Sequence, residues 1–296
     1  MTKKLNQVSI LTAMITPFDE KGALAMEKVS DVVNYLLEHH TEGIVVGGTT
    51  GESPTLSEEE KIDLYKETIR VVAGRVPVIC GVGSNDTRAS ISFIKKVAQL
   101  EGVAAGLCVV PFYNKPSQEG LYQHFKALSE ASDLPIILYN VPGRTGVNMS
   151  VETTLRLEKL PNILGTKECQ GLEAFTQIVK NVSDDFLVYS GEDHLALPCK
   201  LIGGAGIISV SSHIVGDKMY EMYQALENKE IEEAATIHQE LNPVFDAVFS
   251  APSPAPVKAI YNEWGLDVGE PRLPLVSCNT EEIVRIMTEI NQVVKK

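Results

Sequence analysis

Positive charge is scarce in this 296-residue chain, where 26 Lys and Arg stand against 39 Asp and Glu for a formal net charge of -13. Such an excess repels a phosphate backbone and supplies no juxtamembrane basic run, which excludes nucleic acid and anionic membrane as partners. A site for an acidic substrate must then be a local concentration of positive charge working against the whole chain. No run of about 18 apolar residues occurs, so no membrane-spanning helix is expected. The apolar stretch near the start is interrupted by Thr12 and Thr16 and halted at Pro17 without a small-residue cleavage pattern, so no leader is expected either. The five cysteines, Cys80, Cys108, Cys169, Cys199 and Cys278, are odd in number, widely spaced and form no C-x-x-C. They read as reduced thiols of a cytoplasmic protein rather than a disulfide framework.

Nucleotide and metal signatures are missing as well. Gly81-Val-Gly83 has Asp86 where G-x-G-x-x-G needs its third glycine, and no G-x-x-x-x-G-K-[ST] is present. His39, His40, His124 and His238 fall in helical segments without H-E-x-x-H, and Glu192-Asp193-His194 reads as a helix start. No metal and no cofactor are expected.

What the chain does have is one rhythm: a short apolar run, a Gly/Ser/Thr/Asn loop, then a segment of helical period. Strands are expected at residues 9–15, 43–46, 77–80, 106–110, 135–138, 163–166, 186–189 and 206–210. Met26, Val29, Val32, Val33, Leu36 and Leu37 fall at helical spacing, as do Ile91, Ile94, Val97 and Ala98. Ser57 with Glu60 three residues on predicts a capping box, and Ser117 and Ser150 predict N-caps. The strands are nearly all apolar, as parallel strands covered by helices require. Eight strand–helix units predict an α/β fold, a closed (β/α)8 barrel rather than an open doubly wound sheet, in a catalytic domain of residues 1–228. Residues 229–296 predict a C-terminal helical domain with helices at 230–249, 256–264 and 280–296, interrupted by the Pro-rich run at residues 250–256.

Chemistry in such a barrel belongs at the C-terminal strand ends. Strand two runs into Gly47-Gly-Thr-Thr-Gly-Glu52, strand four into Pro111-Phe-Tyr-Asn114, strand five into Tyr139-Asn-Val-Pro-Gly-Arg144 and strand six into Gly165-Thr-Lys-Glu168. A lysine ending an apolar strand, on the face of Ile163 and Gly165, points inward, where loss of water favours the neutral amine that condenses with a carbonyl. The alternative is that Lys167 reaches the rim and pairs with Glu168. Tyr113 and Tyr139 with Thr49 and Thr50 suggest a hydroxyl relay, each phenol able to donate and accept. Alternatively, Tyr113 packs or touches another subunit, and the threonines cap a helix. Gly47, Gly48 and Gly51 let backbone N–H groups approach an anion. Arg144, in a Pro-Gly turn, can grip a carboxylate bidentately or stand as an ordinary loop arginine.

Gly48-Thr-Thr-Gly-Glu52, Tyr139-Asn-Val-Pro-Gly-Arg144 and Gly165-Thr-Lys-Glu168 together resemble the dihydrodipicolinate synthase family, within the N-acetylneuraminate lyase superfamily of Schiff-base aldolases. The resemblance extends through Pro116–Gly120, Gly206-Ile-Ile-Ser-Val210 and Arg272-Leu-Pro-Leu-Val276 and covers essentially the whole chain. It implies condensation of pyruvate with aspartate-4-semialdehyde to 4-hydroxytetrahydrodipicolinate, in lysine and diaminopimelate biosynthesis. Lys167 would form the Schiff base, while Thr50 and the Gly48 backbone would hold the pyruvate carboxylate. Tyr139 would move protons through Thr49 to Tyr113, which the family lends across a subunit interface in a homodimer or homotetramer. Arg144 would bind the semialdehyde carboxylate, and Ile208 would line the pocket. N-acetylneuraminate lyase is the rival within the superfamily, separated by Arg144. A barrel that binds a 2-oxo acid without turnover is the rival from another class, disfavoured by the relay residues.

Some members of the family are inhibited by lysine in an interface pocket, and Asn85 matches the asparagine of that pocket. Glu58 and Lys61 stand where the sensitive enzymes have histidines, Ala89 near a glutamate and Phe112 at a tyrosine. The ammonium groups of an effector would lose partners at Ala89 and Phe112 and meet like charge at Lys61. An unpartnered buried charge costs several kcal/mol, more than a typical coupling of about 1–3 kcal/mol absorbs. Lysine is therefore expected to inhibit weakly or not at all; half-inhibition at sub-millimolar lysine in an initial-rate titration would overturn this reading.

Overall fold

A computed structural model describes residues 5–294. Its strands are β1 (Ile10–Ala13), β2 (Gly43–Val46), β3 (Val78–Gly81), β4 (Val103–Val109), β5 (Ile136–Asn140), β6 (Ile163–Glu168), β7 (Leu187–Ser190) and β8 (Gly206–Ser209). They follow chain order around a closed barrel, and every strand ladder described is parallel, which is the expected fold class. The helices are α1 (Met26–Glu38), α2 (Glu58–Val72), α3 (Thr87–Val97), α4 (Gln118–Ala131), α5 (Pro142–Thr145), α6 (Val151–Leu157), α7 (Leu172–Asn181), α8 (Ala196–Leu201), α9 (Ser212–Glu227), α10 (Ile231–Val248), α11 (Ala255–Glu263) and α12 (Thr280–Val293). The expected leader-free start includes residues 1–4 and the expected last helix includes residues 295 and 296, all of which lie outside the described residues.

Local chemistry sets the helix starts. The Ser57 hydroxyl accepts the Glu60 N–H while the Glu60 carboxylate accepts the Ser57 N–H, closing the capping box of α2. Ser117 and Ser150 cap α4 and α6 as expected. Asp86, the residue that broke the nucleotide motif, caps α3 by accepting the Arg88 and Ala89 N–H groups at 2.8 and 3.2 Å. The strands differ from expectation mainly at their ends. β5 continues through Tyr139 and Asn140, and β6 through Lys167 and Glu168, because the ladder pairs Tyr139 with Lys167 and Asn140 with Glu168. A reading from apolar runs stops a strand at its last apolar residue, whereas the hydrogen-bonded ladder does not.

Chain contacts group residues into two compact units. The first comprises residues 77–208 with the N-terminal segment through Ser9. In it β3 to β8 pair in order, and the buried Tyr189 hydroxyl donates to the Leu5 carbonyl at 2.8 Å. The second comprises residues 10–76 and 209–296. There β1 pairs with β2, α1 packs on α2, and α10, α11 and α12 pack on one another. Thr12 joins Thr41 and Ser212 in a buried hydroxyl chain at 2.6 and 2.8 Å. His213 is held neutral by burial, its ring pushed down to about 4. Its Nε2 accepts the Ile15 N–H at 3.2 Å, and its Nδ1 therefore donates to the Val210 carbonyl at 2.7 Å.

The second unit also buries an ion pair. Lys258 Nζ lies 2.7 Å from Glu52 Oε1, with both side chains only 1% exposed. The ammonium sits 4.1 Å over the Phe18 ring and donates to the Glu270 carbonyl, and the Arg272 guanidinium lies 4.3 Å from the same ring centre. Arg272 gives its backbone N–H to Glu52 Oε2 at 2.8 Å and its guanidinium to Glu60 and the Gly22 and Thr55 carbonyls. Burial pulls Lys258 down to about 8 against the attraction of Glu52. Removing one partner strands the other charge, so Lys258→Met is expected to lose about 3–5 kcal/mol in urea unfolding. The double variant with Glu52→Gln should recover most of that loss. A single-variant loss below about 1 kcal/mol would mean that Glu52 is hydrated.

Candidate active site

Two groups of side chains stand at the C-terminal strand ends. The first belongs to β4–β6 and the loops that follow. Lys167 is only 5% exposed, and its Nζ lies 4.6 Å from the Tyr139 ring centre, also buried. The amine thus faces a phenol in a site screened from water, not the bulk solvent at the rim. Glu168 does not pair with it. Alternation along β6 turns that carboxylate to the opposite face, where its Oε1 accepts the Cys169 and Gln170 N–H groups at 2.9 Å each. Burial pushes the Glu168 carboxyl up to about 7, opposed by these hydrogen bonds and by the Asn140 amide. The Cys169 thiol is pushed up to about 12 by burial.

Arg144 lies in the short helix α5 after β5 and is exposed. Pro142 starts this turn and Gly146, at φ 68°, ends it, so the guanidinium is carried on a tight, defined corner. Tyr113 is 87% exposed on a backbone held at φ 72°. Its loop is braced by the Asn85 amide donating to the Phe112 carbonyl at 3.1 Å and the Asn114 amide donating to the Asn85 carbonyl at 2.8 Å. Within one chain, then, Tyr113 projects into solvent and is not brought among the buried groups. Ile208 is fully buried in β8.

The second group is the loop after β2. Gly47 takes φ 66°, and a Cβ there would strike the Tyr65 ring, so the turn needs glycine. The Glu52 N–H donates to the Thr49 carbonyl at 3.0 Å, the Ser53 N–H to the Gly48 carbonyl at 3.2 Å, and the Thr16 hydroxyl to the Gly51 carbonyl at 2.7 Å. Thr50 is buried and Thr49 partly so. Neither hydroxyl caps α2, a role taken by Ser57. The threonines are thus left at a strand end on a loop whose shape is fixed by its own backbone bonds and by the buried Glu52.

Reading the sequence missed Gly191, the residue after β7. A Cβ at this position would fall 2.6 Å from Lys167 Cε and closer still to Cys169 Sγ. The Gly191 N–H donates to the Glu168 carbonyl at 3.0 Å, which fixes the backbone against the lysine. Glycine thus leaves the channel through which the Lys167 side chain runs. A Gly in Tyr-Ser-Gly carries no signal of this, because the two side chains it makes room for belong to β6 and the residue just after it, distant in sequence.

Fold and site define a (β/α)8 barrel with a water-screened amine beside a phenol at the C-terminal strand ends. The sequence matches the dihydrodipicolinate synthetase family over residues 6–293, and the chain belongs to that family. It is 56% identical over 283 residues to the 4-hydroxy-tetrahydrodipicolinate synthase of Enterococcus faecalis, covering 96% of this chain and 98% of that protein. Among solved structures, a dihydrodipicolinate synthase of Bacillus anthracis superposes with a TM-score of 0.95 at 48% identity, covering 100% of both chains. A chloride-inhibited dihydrodipicolinate synthase of Acinetobacter baumannii complexed with pyruvate superposes with a TM-score of 0.93 at 37% identity, covering 97% of this chain and 99% of that one.

Gly191→Ala should displace the Lys167 amine from its place over Tyr139. An off-rotamer lysine costs about 0.5–1.5 kcal/mol, so covalent capture of a 2-oxo acid by borohydride should slow roughly two- to tenfold. An unchanged capture rate would show that Lys167 and Cys169 move aside freely.

Proposed function

We propose that this chain is a 4-hydroxytetrahydrodipicolinate synthase, a lyase that condenses pyruvate with aspartate-4-semialdehyde. The observation that carries this reading is the buried Lys167 amine at 4.6 Å from the Tyr139 ring centre, in a chain whose relatives over nearly its full length bear the synthase name. Those names favour the condensation over an N-acetylneuraminate lyase reaction. A binding barrel without turnover has no use for a lysine withheld from solvent at the cost of its hydration.

The Lys167 amine adds to the pyruvate carbonyl and water leaves, giving an iminium. Loss of a methyl proton puts its electron pair into the enamine, with the iminium nitrogen as acceptor. The enamine carbon attacks the aldehyde, the resulting alkoxide takes a proton, and the amine of the semialdehyde displaces Lys167 from the imine carbon as the ring closes. Tyr139 is the group we assign to the proton transfers, with Thr49 and Tyr113 continuing the relay. Tyr113 would come from a second subunit, a role supported by its 87% exposure on a braced, positive-φ loop. Thr50 and the Gly48 backbone are assigned to the pyruvate carboxylate, Ile208 to the pocket wall, and Arg144 to the semialdehyde carboxylate. A net charge of -13 makes that single guanidinium valuable, since the rest of the chain repels the carboxylate that each substrate carries.

Pyruvate and borohydride should leave an irreversible mass adduct on Lys167, and Lys167→Ala should fold yet lose activity by orders of magnitude. An adduct on another lysine, or near-normal turnover by the variant, would sink the assignment. Arg144→Ala should weaken use of aspartate-4-semialdehyde roughly ten- to a hundredfold while sparing capture of pyruvate, the loss of a charged bidentate contact worth about 1.5–3 kcal/mol. Equal loss in both steps would mean that Arg144 shapes the whole site.

A further inference from the structure

Glu168 is a buried carboxylate with no cation in its hydrogen-bond set. Its ligands are the Cys169 and Gln170 N–H groups, at 2.9 Å each, and the Asn140 amide, whose Nδ2 lies 3.2 and 3.3 Å from its two oxygens. A carboxylate is an expensive way to cap two backbone N–H groups, since burial penalises its charge and a glutamine oxygen would accept them equally well. Asn140 gives the reason. Its Oδ1 accepts the Met149 N–H at 3.1 Å, which turns its Nδ2 toward Glu168, the Met149 carbonyl at 3.0 Å and Asn148 Oδ1 at 3.2 Å. A glutamine on β6 would have to present its own NH2 or leave its NH2 unpartnered, whereas a carboxylate offers only acceptors to the amide.

The segment so gripped is the end of the loop that carries Arg144. Gln170 tightens the grip: its Nε2 donates to the Met149 carbonyl at 3.0 Å, and its Oε1 accepts from Asn148 Nδ2 at 2.7 Å. On the far side Gln118 donates to the Asn148 carbonyl at 2.7 Å and accepts the Ser150 N–H at 2.9 Å. Asn140 is the residue after Tyr139 and Glu168 the residue after Lys167, and the two pairs are neighbours in one ladder. One face of this ladder carries the amine and the phenol, and the other carries the tie to the Arg144 loop.

From this arrangement we infer that Glu168 and Asn140 are a positioning pair, which sets Lys167 against Tyr139 and, through Met149 and Asn148, holds the 141–150 loop so that Arg144 meets the second substrate. The inference rests on the roles proposed above for Lys167 and Arg144. It goes beyond them by giving the two half-reactions a common support, so that disturbing one carboxylate affects both.

The test compares full-length wild type, Glu168→Gln, the double variant Asn140→Asp/Glu168→Gln and Asn148→Ala. Borohydride trapping counts the pyruvate-competent sites, and steady-state rates are then expressed per trapped site. Glu168→Gln is expected to keep its adduct on Lys167 while kcat falls at least tenfold and KM for aspartate-4-semialdehyde rises several-fold. The double variant restores an acceptor-to-amide pairing with the roles exchanged and should recover part of kcat. Asn148→Ala, at an exposed position, removes the side-chain bonds to Gln170 and Asn140 and leaves Glu168 in place. It should raise KM for the semialdehyde two- to fivefold with pyruvate trapping unchanged, and this arm decides the matter if the buried variants do not fold. Normal kinetics per trapped site in Glu168→Gln, absence of any rescue, or an Asn148→Ala enzyme indistinguishable from wild type would overturn the inference. A wild-type adduct on a different lysine would instead remove the reading beneath it, and the positioning role with it.

Discussion

Pairing Tyr139 with Lys167 across the β5–β6 ladder commits nearly everything else at that end of the sheet. Alternation is strict in a strand, so the same register that buries the amine beside the phenol must send the next residue of each strand to the opposite face. Those residues are Asn140 and Glu168, and they bond to each other and to the loop above. A slip of one residue would exchange the two faces, putting a carboxylate in the place of the amine. Several costs accepted nearby follow from this register: a buried acid, a mandatory glycine at Gly191 and a thiol suppressed by burial at Cys169.

Buried charge is handled differently in the two units. Glu52 meets a full counter-ion in Lys258, with Arg272 and the Phe18 ring adding support around the pair. Glu168 meets only neutral donors, and burial pushes its carboxyl up to about 7 against their pull. The first arrangement gives rigidity to the Thr-Thr loop, since Glu52 directly follows Gly51 and its N–H bonds back to Thr49. The second leaves a carboxylate sensitive to the number and direction of its donors, which is the property expected of a group that orients others rather than one locked to a counter-ion.

Electrostatics also bear on the roles proposed for the site. With 39 acidic side chains against 26 basic ones, a substrate carboxylate is repelled by the chain as a whole. In the roles proposed above, backbone N–H groups at glycine-rich strand ends and one guanidinium on a tight turn would offset that repulsion locally, where distances are short and the long-range field matters less. Tyr113, on its braced loop, stands exposed in the single chain.

Much of this was legible in the linear order of residues. Apolar runs separated by helical periods determine a parallel, helix-covered sheet, and eight of them close it. Cap residues such as Ser57, Ser117 and Ser150 act within a few positions of themselves, so their roles survive without tertiary knowledge. Lys167, Tyr139 and Arg144 were visible as chemistry at strand ends because strand direction alone puts them there. What tertiary structure decided was every relation between distant segments. The ladder carried β5 and β6 beyond their apolar runs; Lys258 found Glu52 from the C-terminal helices; Gly191 made room for a side chain of another strand; and Asn140, Glu168, Met149 and Gln170 became one network. Periodicity and capping are properties of neighbours in sequence, whereas partners for buried polar atoms are chosen by packing, and a linear chain does not record which distant group will arrive to satisfy them.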